Sequence, residues 1–206
     1  LNDISVVFEE DKIHGIIGRS GSGKTTMIEL LNALILPTNG NIEVGSRIIS
    51  KSRKIRDINQ MRYKIGLVFQ FPEEQFFCST VRKEIEFGMK YFKKTVANIE
   101  KHVSDALKMM ELDDSYLERD PFSLSSGEMR KVAIASILAF NPKVIILDEP
   151  TIGLDFESKQ NLLKILTMLK KRYHKTVIIV THDTDLLHKI ADHIIVLDHG
   201  KLVLEG

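Results

Sequence analysis

Short, nearly all-apolar runs alternate along this chain with longer segments of helical period. Ile13, Ile16 and Ile17 read as a buried strand, and Thr26–Leu34 as the helix that follows it. Ile65–Phe69, Val144–Leu147 and Thr176–Val180 carry apolar residues at almost every position, as parallel strands covered on both faces do. Between the last two runs, Ser158–Lys171 reads as a helix. Three short pairs of runs flank polar turns and predict hairpins: Ser5–Phe8 with Ile13–Ile17, Asn41–Val44 with Arg47–Ile49, and Ile194–Leu197 with Leu202–Leu204. The alternation predicts an α/β fold with a mixed sheet and an antiparallel β subdomain.

A different pattern interrupts the alternation after Phe69. Phe71-Pro72-Glu73-Glu74-Gln75-Phe76-Phe77 has no period and reads as a loop. Val81, Ile85, Met89 and Phe92, then Ile99, Val103, Ala106, Leu107 and Met110, recur at helical spacing. Their Met and Phe residues read as core. Residues 72–137 are therefore expected to form a small helical subdomain inserted in a core spanned by a single domain, 1–206. The basic stretch 51–64, with Lys51, Arg53, Lys54, Arg56, Arg62 and Lys64, reads as a solvated surface.

Composition narrows the class. A 43% hydrophobic and 28% charged chain of 206 residues has enough apolar content for a packed core. A formal net charge of +1 does not suggest a nucleic-acid or membrane-surface binder. The single cysteine, Cys78, excludes an internal disulfide and fits a reducing compartment. No apolar run reaches the roughly 18–20 residues needed to span a bilayer. Leu1 in place of Met, and a last apolar run ending near Gly206, predict part of a longer protein.

The candidate chemistry starts at Gly18-Arg19-Ser20-Gly21-Ser22-Gly23-Lys24-Thr25-Thr26, which matches the phosphate-binding pattern G-x-x-x-x-G-K-[ST] between a strand and a helix. Glycines let backbone N–H groups curl around an anion, Lys24 supplies a positive charge, and the Thr25 hydroxyl is a Mg²⁺ ligand candidate. Three buried runs end in polar residues: Gln70, Asp148-Glu149 and His182. In a parallel sheet such ends share one crevice with the phosphate loop. There Asp148 would hold the metal shell, Glu149 would act as base toward a water or orient it, Gln70 would reach metal and water, and His182 would sense a terminal phosphate. Ser125 and Glu128 form an S-x-x-E capping box that opens a helix, a second place with free N–H groups.

Together these motifs resemble the ATP-binding cassette ATPases over essentially the whole chain. The resemblance makes Gly18–Thr26 the P-loop, Gln70 the Q-loop, Leu124-Ser125-Ser126-Gly127-Glu128 the signature, Gly153-Leu154-Asp155 the D-loop and His182 the switch histidine. It implies ATP and Mg²⁺ as cofactors. It also implies a head-to-tail dimer, with an identical or paralogous ATPase, in which the signature of one subunit meets the γ-phosphate on the P-loop of the other.

Phe69–Phe77, Thr80-Val81 with Glu84-Ile85 and Phe87-Gly88, and Met129–Ala135 resemble the energy-coupling factor importers of vitamins or transition-metal ions. That likeness implies a transmembrane scaffold and a substrate-binding membrane subunit as partners, a place at the cytoplasmic face of the cell membrane, and no nucleic acid. The loop Phe71–Phe77 is expected to dock the scaffold through Phe76 and Phe77, the alternative being that both rings fold back onto the helical subdomain. An adenine-stacking aromatic is expected before Leu1, and a C-terminal extension after Gly206.

Two positions depart from the family's usual Leu-Ser-Gly-Gly-Gln. Ser126 replaces Gly and adds a side chain near the partner's phosphate, and Glu128 replaces Gln. Two other functions share these motifs. Chromosome and repair ATPases insert long coiled coils, whereas about 50 residues without sustained heptads separate Gln70 from Leu124. Ribosome-acting translation factors carry two cassettes, and a second P-loop would mark them.

Overall fold

The computed structural model describes residues 1–51, 58–71, 76–91 and 98–206, with the backbone alone at 59, 60 and 91. Its strands are β1 (Ile13–Gly18), β2 (Ile42–Val44), β3 (Arg47–Ile49), β4 (Ile65–Val68), β5 (Val144–Asp148), β6 (Thr176–Val180), β7 (His193–Asp198) and β8 (Lys201–Glu205). The helices are α1 (Lys24–Leu31), α2 (Ile58–Lys64), α3 (Val81–Tyr91), α4 (Ile99–Met109), α5 (Ser126–Leu138), α6 (Phe156–Tyr173) and α7 (Thr184–Ile190). Six strands form one sheet in the order β4-β5-β6-β1-β7-β8, and β2 pairs with β3 alone. All neighbours in the large sheet are parallel except β7 and β8. The mixed sheet and the separate antiparallel pair are those expected.

The apolar runs are apolar throughout because both faces of the sheet are covered. On β5, Ile145 and Leu147 face one core and Ile146 the other; on β6, Val177 and Ile179 alternate with Ile178 and Val180. The first core joins the sheet to α3, α4, α5, α6 and α7. The second joins it to Met27 and Ile28 of α1, Ile49 of β3 and Met61 of α2. Ile146 is fully buried, so Ile146→Ala would cost ~2–5 kcal/mol. Helix α5 lies close against the sheet, since a Cβ on Gly66 of β4 would stand 2.1 Å from Ile137 Cγ2.

Two expectations are corrected. Ser5–Phe8 forms no strand. Strand β1 has no free edge for it, because β6 and β7 take both sides in parallel register. Phe76 is not a docking ring: it is 8% exposed and belongs to the core under α3 and α4. The cause is Glu84, a buried carboxylate on α3 whose Oε2 accepts from Phe77 N at 3.2 Å and Cys78 N at 2.8 Å. That grip turns Phe76 inward and leaves Phe77 exposed against Phe87, with ring centroids 4.6 Å apart.

Of the basic stretch, Lys51 and Lys64 are exposed, and Arg62 Nη2 donates to Ala33 O at 3.0 Å. Arg53, Lys54, Arg56, Phe92 and residues 72–75, with Glu73 and Glu74, lie outside the described residues. Among the described residues no helix is long and apolar enough to cross a membrane.

Candidate functional site

Parallel strands put their C-terminal ends on one edge, so Gly18, Val68, Asp148 and Val180 share it. The loop 18–24 bridges β1 and α1 there. Ser22 N donates to Arg19 O at 3.1 Å, and Gly200 N, from the β7–β8 turn, donates to Ser22 O at 3.0 Å. Gly18 is required by close approach: a Cβ would stand 2.2 Å from Leu197 O and 2.6 Å from Ser22 Oγ. Gly23 precedes α1 at φ 104, and no side chain caps the helix. The first N–H groups of α1 are therefore directed into the loop without a side-chain acceptor, the arrangement that suits an anion. Lys24 Nζ donates to Gly18 O at 2.8 Å and Arg19 O at 3.1 Å, so its ammonium sits over the loop. Arg19, Ser20, Gly21 and Thr25 are exposed, and Thr26 is half-buried.

Across the edge stands a pair of carboxylates. Asp148 closes β5 and is 8% exposed. Burial, and then the neighbouring Glu149, push its carboxyl above the ordinary range, while Lys24 pulls the other way. Glu149 has φ 47, an uncommon left-handed conformation for a glutamate. Four hydrogen bonds hold that turn. Glu149 N donates to Val180 O at 2.7 Å, Ile152 N donates to Glu149 O at 3.3 Å, and Arg130 Nη1 donates to Pro150 O and Ile152 O, each at 2.8 Å.

His182 follows β6, and its Nδ1 lies 3.0 Å from Glu149 Oε1. A carboxylate only accepts, so Nδ1 carries the proton. Next in sequence, Asp183 caps α7 and accepts from Lys159 of α6 at 3.2 Å. Gln70 lies two residues beyond the end of β4, on the same edge as the end of β5, and is half-buried.

The structure thus gathers Lys24, Gln70, Asp148, Glu149 and His182 at one edge. Among the described residues no three His, Cys, Asp or Glu form a metal-holding group. Asp148, the Thr25 hydroxyl and the Gln70 carbonyl are hard oxygen donors that fit Mg²⁺ only when phosphate and water oxygens complete its shell.

The second expected anion site lies elsewhere. Ser125 caps α5 in a full capping box with Glu128. Glu128 Oε2 accepts from Ser125 N at 2.9 Å and Ser125 Oγ at 2.7 Å, and its Oε1 accepts from Tyr116 OH at 2.6 Å. Tyr116 first, then the Ser125 side chain and backbone, hold the Glu128 carboxyl down at about 2. Ser126 is exposed at the first helical position, and Gly127 is half-buried. A cleft of about 230 Å³ separates the starts of α5 and α6, lined by Ser125, Glu128, Leu154, Asp155 and Ser158 among others. Among the described residues no hydrogen bond joins 125–128 to 18–26.

Sequence reasoning missed Arg130 and Tyr116. Arg130 follows the capping box and is 6% exposed, and an arginine among the apolar positions of a helix was the available signal. Nothing in the sequence marked Tyr116.

Comparison with known proteins gives a consistent picture. Residues 1–152 match the family described as ABC transporter. Over 206 residues the chain is 40% identical to an energy-coupling factor transporter ATP-binding protein of Enterococcus faecalis, covering 100% of this chain and 71% of that protein. It is 44% identical over 208 residues to the protein of the same description in Clostridium perfringens, covering 100% and 72%. Among solved structures, cbiO1 from Clostridium perfringens, part of the ABC transporter complex cbiONQ, is similar with a TM-score of 0.87 at 33% identity, over 98% of this chain and 80% of that one. A dimeric ATP-binding cassette in a post-hydrolysis state, bound to ADP and Pi, gives 0.85 at 30% identity over 100% and 89%.

Proposed function

The chain belongs to the ABC transporter family, and from that premise we infer how its residues bind and hydrolyse ATP. It is the ATP-binding and ATP-hydrolysing subunit of a membrane transporter of the energy-coupling factor class. The observation that carries the mechanism is the Glu149–His182 pair beside Asp148 and the Lys24 loop.

We propose that Gly18–Thr26 wraps the phosphates, with Lys24 exchanging the carbonyls of Gly18 and Arg19 for phosphate oxygens. Asp148, Thr25 and Gln70 would hold Mg²⁺, which when bound would offset the charge of the outer phosphates. Glu149 takes the proton of the attacking water. His182 orients the carboxylate for this step, Nδ1 donating to Oε1 at 3.0 Å and its backbone N donating to Oε2 at a long 3.4 Å. Its exposed ring leaves Nε2 to face the terminal phosphate, which it contacts as a donor only when both ring nitrogens are protonated.

The signature 125–128 is separate from this chain's own P-loop, which supports a head-to-tail pair with an identical or paralogous ATPase. Residues 72–137 are read as the helical insert that carries the signature and meets the membrane scaffold. Phe77 and Phe87 form its exposed aromatic face. The chain would then lie peripherally at the cytoplasmic face, with a substrate-binding membrane subunit selecting a vitamin or transition-metal ion, and with no nucleic acid involved. In the assembled transporter, Lys24→Ala is expected to lower ATP binding and turnover together by on the order of 10²–10³. A larger loss from Arg19→Ala than from Lys24→Ala would contradict this assignment of the loop.

A further inference from the structure

A carboxylate at the start of α5 competes for the donors that a phosphate would use there. Glu128 lies in the first turn, where the helix dipole attracts it, yet its charge would repel an incoming phosphate. The structure disposes of that charge with three donors. Ser125 N and Ser125 Oγ take Oε2, and the Tyr116 phenol takes Oε1. Tyr116 is itself fixed. It sits in the 3-10 turn Asp114–Tyr116, where Asp113 caps Ser115 N and Tyr116 N donates to Asp113 O at 3.2 Å. The Arg119 guanidinium lies 4.1 Å from the centre of its ring. With both carboxylate oxygens committed, the N–H groups of Ser126 and Gly127 have no carboxylate swinging across them.

We propose that Tyr116 is a positioning residue of the signature, pinning the Glu128 carboxylate back so that the start of α5 presents N–H groups to phosphate. The proposal rests on reading 125–128 as a phosphate site. It also accounts for a glutamate at a place where phosphate must approach: Tyr116 keeps the charge turned aside. Without the phenol, Oε1 loses its donor, and the carboxylate rotates about its remaining bonds toward the first-turn N–H groups.

The test measures MgATP hydrolysis by the full-length protein assembled with its membrane partners in vesicles, comparing parent, Tyr116→Phe, Glu128→Gln and the double variant, with Ser125→Ala as reference. Tyr116→Phe is expected to raise KM for ATP about tenfold, the order of one lost charge-assisted hydrogen bond, with kcat changed less than about twofold. On the Glu128→Gln background the same change should move KM less than about twofold, because the charge it restrains is gone. An equal KM change on both backgrounds would mean the phenol is merely structural and overturn the proposal. An unchanged KM in Tyr116→Phe, with a raised KM in Ser125→Ala, would overturn it while leaving the signature reading intact. An unchanged KM in Ser125→Ala would remove the signature reading, and this proposal with it.

Discussion

His182 Nδ1 donates to Glu149 Oε1 across 3.0 Å, joining the end of β6 to the residue after β5. Glu149 is mostly covered while the histidine ring is exposed, so the histidine is the movable member of the pair. Removing the ring leaves the carboxylate only the long 3.4 Å contact from the His182 backbone N to Oε2, and loosens its orientation. His182→Ala is expected to lower kcat by on the order of 10², with a smaller change in KM. Single-turnover kinetics on the assembled transporter would check this. A change confined to KM would mean that His182 serves only in binding.

Arg130 ties α5 to the turn after Glu149 through the carbonyls of Pro150 and Ile152. Arg130→Met keeps much of the length but removes the donors, leaving carbonyls at a largely buried turn without that partner. It is expected to destabilise the protein by ~1–3 kcal/mol in denaturant unfolding. It should also lower turnover, because the left-handed Glu149 loses one of its supports. Stability and turnover both at parent level would contradict the clamp.

Glu128 gives a pH signature. Its folded value of about 2 lies below its ordinary 4.5. The ionised form therefore stabilises the fold fully above pH 4.5, and that contribution disappears as the pH falls from 4.5 toward 2. Because Tyr116 is the largest cause, Tyr116→Phe should raise the Glu128 value toward 4.5 and flatten the stability loss in that window. Carboxyl NMR titration of both proteins measures it directly, and identical Glu128 titrations would contradict the assignment.

Phe77 and Phe87 are 62% and 55% exposed and lie edge to face. Aromatic rings grouped on a surface in this way mark interfaces. Changing both to Ser is expected to leave ATP binding and folding of the isolated protein intact while weakening assembly with the scaffold by tenfold or more, on the order of one hot spot. Unaltered assembly, measured by co-purification at graded concentration, would place the docking surface elsewhere.

The main elements were legible because burial on both sheet faces writes itself as unbroken apolar runs such as Val144–Leu147, and because the phosphate loop needs residue types at fixed spacing. Neighbour-dependent features were not. Ser5–Phe8 has the pattern of a strand, and only the sheet order reveals that β1 has no edge to offer it. Phe76 and Phe77 are identical in sequence terms, and the Glu84 carboxylate decides which of them is core. Gln70, Asp148, Glu149 and His182 were each readable at a strand end. The Glu149–His182 contact joins residues remote in sequence, as does the reach of Arg130 to the turn after Glu149. Tyr116 had no motif to announce it. Its hydrogen bond to Glu128 appears only where the turn after α4 meets the start of α5.

The central claim is that Glu149 is the base of an ATP-hydrolysing site. Glu149→Gln keeps the size of the side chain and one acceptor for His182 Nδ1, gives up the long contact from His182 N, and removes the ability to take a proton. The decisive measurement is steady-state ATP turnover of this variant in the assembled transporter, alongside its equilibrium ATP binding. Binding should persist, and turnover should fall by ~10²–10⁴. Turnover within about threefold of the parent protein, with binding intact, would show that another group accepts the proton.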